Sequence, residues 1–158
     1  MCPNAQRLVQ VGTADSAISA QVFSARLTNP SATTTIISGY DATHIATTAV
    51  TAVYARMKEF PLYFTRSTAL STAVSNELTK RRITNVILIG DIKNMSAKVE
   101  ADLKKKNITF KRIQSKTLTG LALKLFTRSV VPAGTPGVYV NYSGDARYVL
   151  EAASFASS

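Results

Sequence analysis

Apolar and polar positions alternate along this chain in two kinds of stretch, short runs rich in β-branched residues and longer segments with apolar residues at fours. The clearest run is Ile83 to Asp91, where Val86, Ile87, Leu88 and Ile89 stand together before Gly90 and Asp91. Four apolar residues between polar flanks predict a strand buried on both faces, as inside a parallel sheet. Gly90 lets the backbone turn. A helix is expected next, with Ser96 as its cap and Val99 and Leu103 on one face.

The same unit recurs in both directions. Arg7 to Val11 predicts a strand stopped by Gly12, and Ala14 to Leu27 a helix with Ile18, Val22 and Ala25 on one face, broken at Asn29-Pro30. Thr33 to Ser38 is β-branched and reads as a strand closed by Gly39. His44 to Lys58 predicts a helix with a stripe of Ile45, Ala49, Val53 and Met57. Leu62 to Thr65 reads as a strand, followed by a helix capped by Ser67 and carrying Leu70, Val74 and Leu78. After the helix ending near Lys106, Asn107 to Ile113 predicts a strand and Leu118 to Phe126 a helix. Pro132 to Gly137 is turn-rich; Val138 to Tyr142 predicts a last strand, and Arg147 to Ala156 a last helix.

Strict alternation of strand and helix implies a parallel sheet with right-handed crossovers. The expected fold is α/β: a three-layer α/β/α sandwich with a mainly parallel, Rossmann-like sheet of about six strands. Residues 1–6 read as a tail and residues 7–158 as one domain. Within it, Arg7 recurs as Arg112 and the Ser-Gly pair at Gly39 recurs at Gly144, both 105 residues on. That shared offset predicts a full repeat over about 7–111 and a partial second copy over 112–158.

Composition narrows the partners. A formal net charge of +10 favours an anionic partner: nucleic acid, a polysaccharide or a charged surface. The single cysteine, Cys2, leaves no internal disulfide framework. No apolar run approaches the roughly 20 residues of a membrane span. The opening MCPNAQRLVQ has no apolar signal core. Neither a Gly-x-Gly-x-x-Gly nor a P-loop motif occurs, and one histidine, His44, leaves no spare parts for a catalytic triad. No cofactor is expected.

Taken in order, Arg7-Leu8, Ile37-Ser38-Gly39, Pro61-Leu62-Tyr63-Phe64-Thr65 with Leu70, Leu88-Ile89-Gly90-Asp91 and Arg112-Ile113 form a set. In that order and spacing the chain resembles the cell wall binding repeat 2 family, modules that attach Gram-positive surface proteins and lysins to anionic wall polymers. The chain departs from the family pattern at Gly12-Thr13-Ala14 and Thr117-Leu118-Thr119, at Thr43-His44-Ile45-Ala46, and at Asp91, where the family has a second glycine. Family proteins usually pack three repeats as a pseudo-trimer. With about one and a half copies here, the resemblance implies self-association, a homo-trimer being favoured.

The candidate polymer-binding residues lie at the expected carboxyl ends of strands, where open α/β sheets take ligands: Ser38, Gly39, Thr65, Arg66, Gly90, Lys93 and Arg147. Helix N-termini there suit phosphate or carboxylate. A second candidate is a basic rim at the opposite edge, made of Lys80, Arg81, Arg82, Lys104, Lys105, Lys106 and Lys111. Cations at helix C-termini have a purely structural explanation, since they stabilise the helix dipole. Asp15, Asp41, Asp91 and Asp145 follow strand ends and read as helix caps rather than metal ligands. The expected function is a non-catalytic wall-polymer-binding or structural assembly module at a cell surface, outside the cell or in a phage particle beside other virion proteins. The alternatives are a small α/β nucleotide-binding protein or enzyme, and a basic nucleic-acid-binding protein.

Overall fold

Val86, Leu88 and Ile89 are almost fully buried, and the strand that carries them is central to a parallel sheet. The computed structural model of the protein describes residues 31–39, 45–65, 68–91, 95–135 and 137. In chain order these form β1 (Thr34–Gly39), α1 (Ile45–Met57), β2 (Leu62–Thr65), α2 (Thr72–Lys80), β3 (Asn85–Ile89), α3 (Ala97–Lys105), β4 (Thr109–Ile113) and α4 (Leu118–Leu125). The sheet order is β2-β1-β3-β4 and every pairing is parallel. The protein is thus an α/β protein with four parallel strands and four helices among the described residues. The strands expected at 7–11 and 138–142, the helices expected at 14–27 and 147–156, and the Arg7 and Gly144 anchors of the 105-residue repeat lie outside the described residues.

The period of two in each strand sends alternate residues to opposite faces. Ile37, Tyr63, Val86 and Leu88 pack with Val74 and Leu78 of α2 and with Val99 and Leu103 of α3. Ile36, Leu62 and Ile89 pack with Tyr54 and Ala55 of α1 and with Leu121 and Leu125 of α4. Full burial of a side chain such as Leu88 contributes about 1.5–3 kcal/mol. The order also follows from one handedness. The step from β1 to β2 uses a helix on one face, whereas the steps to β3 and β4 run the other way with helices on the opposite face. Reversing direction while keeping the hand of the crossover requires changing faces.

Three details differ from the sequence pattern. In α1 the buried face is Ala49, Thr51, Tyr54 and Ala55, and Met57 is exposed, because the helix rests on the sheet through Tyr54 and on Phe126 through an edge-to-face ring contact. The cap of α2 is Ser71, which accepts a hydrogen bond from the Val74 amide, rather than Ser67. β4 begins at Thr109, not Asn107, because Asn107 belongs to the end of α3.

The ends of α1, α2 and α3 share one design. Phe60, Ile83 and Ile108 donate backbone hydrogen bonds back to Ala55, Leu78 and Leu103, and Glu59, Arg82 and Asn107 donate to Arg56, Thr79 and Lys104. These paired bonds are the Schellman arrangement, with an apolar residue just beyond the helix. Its left-handed position is held by Glu59, Arg82 and Asn107, with φ of 53°, 53° and 56°. Asparagine tolerates that conformation, whereas a left-handed backbone costs other L-residues roughly 1–2 kcal/mol.

Candidate binding cleft at the strand ends

Topology locates a crevice before any side chain is considered. β1 leads through α1 to β2 on one side, and β3 leads through α3 to β4 on the other. The connections part at the carboxyl ends of β1 and β3, the switch point where open parallel sheets take ligands. A cleft of about 210 Å³ lies there. Its floor is Ser38, Gly39, Ile89, Gly90 and Asp91; one wall is Thr47 in the first turn of α1; the other is Gln114 to Leu118 with Leu121.

The strand ends shape the floor. Gly90 has φ of 132°, a backbone that side chains rarely adopt. Its carbonyl accepts from Arg112 Nη1 at 2.8 Å, while Arg112 Nε donates to Glu100 Oε1 at 2.6 Å. Arg112 thereby ties the turn under the cleft to α3, and its Nη2 is buried without a partner among the described residues. Ser38 is buried, and its hydroxyl donates to the neighbouring Gly39 carbonyl over a long 3.3 Å.

The wall formed by the β4–α4 loop is self-supported. Thr117 caps α4, its hydroxyl accepting from the Gly120 amide at 3.0 Å. Lys124 Nζ donates to the Gln114 carbonyl at 2.6 Å. A Cβ on Gly120 would lie 2.3 Å from Ser115 Oγ, so glycine lets Ser115 fold onto the first helical turn. Ser38, Thr47, Ser115 and Thr117, with Gln114 and Lys116, therefore line a space bordered by two helix N-termini. Set against the acidic lining residue Asp91, the hydroxyls, Lys116 and helix N-termini suit an oxygen-rich group such as a phosphate or a sugar acid.

The structure brings Ser38, Gly39 and Gly90 together at this cleft. Thr65 stands apart from it: its hydroxyl donates to the Ala69 carbonyl at 2.8 Å and accepts from the Ser71 amide at 3.2 Å, closing the turn into α2. Arg66, Lys93 and Arg147 lie outside the described residues, as do Cys2 and His44. Thr47 and the segment 114–117 were not singled out by the sequence pattern. The available signal was a polar Ser-Lys-Thr run between a strand and a helix. Among the described residues, no group of three or more His, Cys, Asp or Glu is placed to hold a metal ion, and no helix is long and apolar enough to cross a membrane.

At the opposite edge, Lys80 and Arg81 end α2, and Lys104, Lys105 and Lys106 end α3. Lys106 Nζ donates to Thr79 Oγ1 at 3.3 Å, so the two helix ends are neighbours. Lys111 does not join them. It pairs with Ile87 in the middle of the sheet register, on the face opposite α3. Arg81 faces inward, close to the buried Tyr63 hydroxyl. Burial raises the pKa of Tyr63 and nearby Arg81 offsets this in part, but no hydrogen bond of normal geometry reaches the hydroxyl.

No protein-family model matches the chain, and no curated protein matches it.

Proposed function

We propose that the protein is a non-catalytic module that binds an anionic surface polymer at the switch-point cleft, one sugar or phosphate unit at a time. The observation that carries this reading is the cleft itself, where Ser38, Thr47, Ser115, Thr117, Gln114 and Lys116 converge beside two helix N-termini. A volume of about 210 Å³ suits one such unit, since pockets for whole small-molecule ligands run from roughly 300 Å³ upward. The net charge of +10 and the ordered set of motifs like those of the cell wall binding repeat 2 family favour a wall polymer as the partner. On this reading the described sheet is the inner part of a three-layer α/β/α sandwich of about six strands. That domain spans residues 7–158 as a full and a partial repeat, and it assembles as a homo-trimer at a cell surface or in a phage particle.

The test is retention on purified Gram-positive cell walls across a salt series. Retention is expected at about 0.1 M salt and to fade toward about 1 M, because the screening length drops from about 10 Å to about 3 Å. Lys116→Gln is expected to weaken it. Absence of retention at low salt defeats the reading. The position of the cleft also favours a second reading, a small nucleotide-binding protein or enzyme, because doubly wound sheets take nucleotides at this point. Saturable nucleotide binding lost in Lys116→Gln, with no wall retention, selects that alternative.

A further inference from the structure

The basic edge opposite the cleft carries more charge than helix stability requires. Each helix C-terminus presents about half a negative charge, which a single cation offsets. Lys80 and Arg82 stand at the end of α2, where Arg81 turns inward beside Tyr63, and Lys104, Lys105 and Lys106 stand at the end of α3. The Lys106–Thr79 hydrogen bond holds the two groups side by side. Two of them meet neutral groups: Lys106 bonds a hydroxyl, and Lys104 lies 5.7 Å from the Phe110 ring centroid. Glu77 reaches Lys80 only at 4.0 Å, and that lysine side chain is 79% exposed.

Arg82 sharpens the point. It is exposed and sits in the left-handed position of a Schellman end, where glycine is the unstrained choice. Local folding therefore does not call for arginine there. We infer that this rim is a second anion-binding surface, separate from the cleft, and that it takes a flexible linear polyanion rich in phosphate. A row of cations across two adjacent helix ends matches repeated charges along a chain rather than one isolated anion.

The test uses the full chain and long-chain inorganic polyphosphate, with affinity measured over a salt series. Arg82→Gly is expected to raise Tm by a few degrees by relieving the left-handed backbone. It is also expected to lower the slope of log affinity against log salt by about one contact. Lys105→Gln is expected to lower the slope similarly. Lys98→Gln removes an exposed cation from the first turn of α3, near the other edge, and is expected to leave the slope unchanged. Stability gained in Arg82→Gly with an unchanged slope overturns the inference. So does an equal fall in slope for all three variants, which would mark diffuse attraction. Binding of duplex DNA at least tenfold tighter than polyphosphate overturns the choice of a flexible partner.

Discussion

The two ends of the sheet are built from the same kind of junction, yet they present opposite chemistry. At the carboxyl ends of the strands the chain enters helices, and the caps there are Ser71, Ser96 and Thr117. At the amino ends it leaves helices, and the terminal turns hold Arg56, Lys80, Lys104 and Lys105. Each choice is local, made by the unsatisfied amides or carbonyls of one helix end. Parallel strand–helix repetition then gathers all the starts at one edge and all the ends at the other. A string of independent capping decisions becomes a molecule with a hydroxyl-lined edge and a cationic edge.

The largest test of that contrast removes what both ends share. Leu88 is fully buried in β3, so Leu88→Asp places an unpaired charge in the core and is expected to cost several kcal/mol, abolishing soluble folding. A soluble protein with unchanged melting would mean that β3 is misplaced. The ends separate at Thr117, where Thr117→Ala leaves the Gly120 amide uncapped beside the cleft. It is expected to cost about 1 kcal/mol and to weaken wall retention. Denaturant unfolding and the retention assay, run on the same variant, check both.

At the cationic end, Tyr63 gives a pH test. Its pKa is raised by burial, so the folded state holds the phenolic proton more tightly than the unfolded chain does. That contribution is complete below the ordinary tyrosine value of about 10 and is lost as pH rises through the higher folded value. Tyr63→Phe is expected to flatten the alkaline loss of stability. It should cost little at neutral pH, because among the described residues no hydrogen bond of normal geometry reaches the hydroxyl. An alkaline unfolding profile unchanged by the substitution would contradict this. The smallest effect is expected at Gly120. A helical Gly→Ala change normally gains up to about 1 kcal/mol, here offset by turning the Ser115 hydroxyl out of its place. Melting should move little while retention on walls falls.

Much of this architecture was legible along the chain. Apolar runs ending in glycine marked β1 and β3, Leu62–Thr65 matched β2, and Ser96 matched its cap, because burial on two faces and amide capping leave signatures within a few residues. Helix ends without glycine hid their boundaries: Asn107 read as strand because its left-handed turn depends on Ile108 finding the core. The buried face of α1 departs from the stripe at fours for a related reason, since Tyr54 is drawn toward Phe126, a residue distant in sequence.

By itself the sequence determined that strands and helices alternate, that Val86 to Ile89 lie inside a sheet, and that the chain is strongly basic. Each follows from local periodicity or from counting. Only the tertiary structure decided which strands are neighbours, and so where the switch point falls. It also decided that Gln114 to Thr117 face Ser38 and Gly90 across one cleft, that Thr65 is spent on a turn, and that Lys111 leaves the rim. These are relations between residues far apart in the chain, fixed by the packing of helices on the sheet. No spacing within a single segment records them.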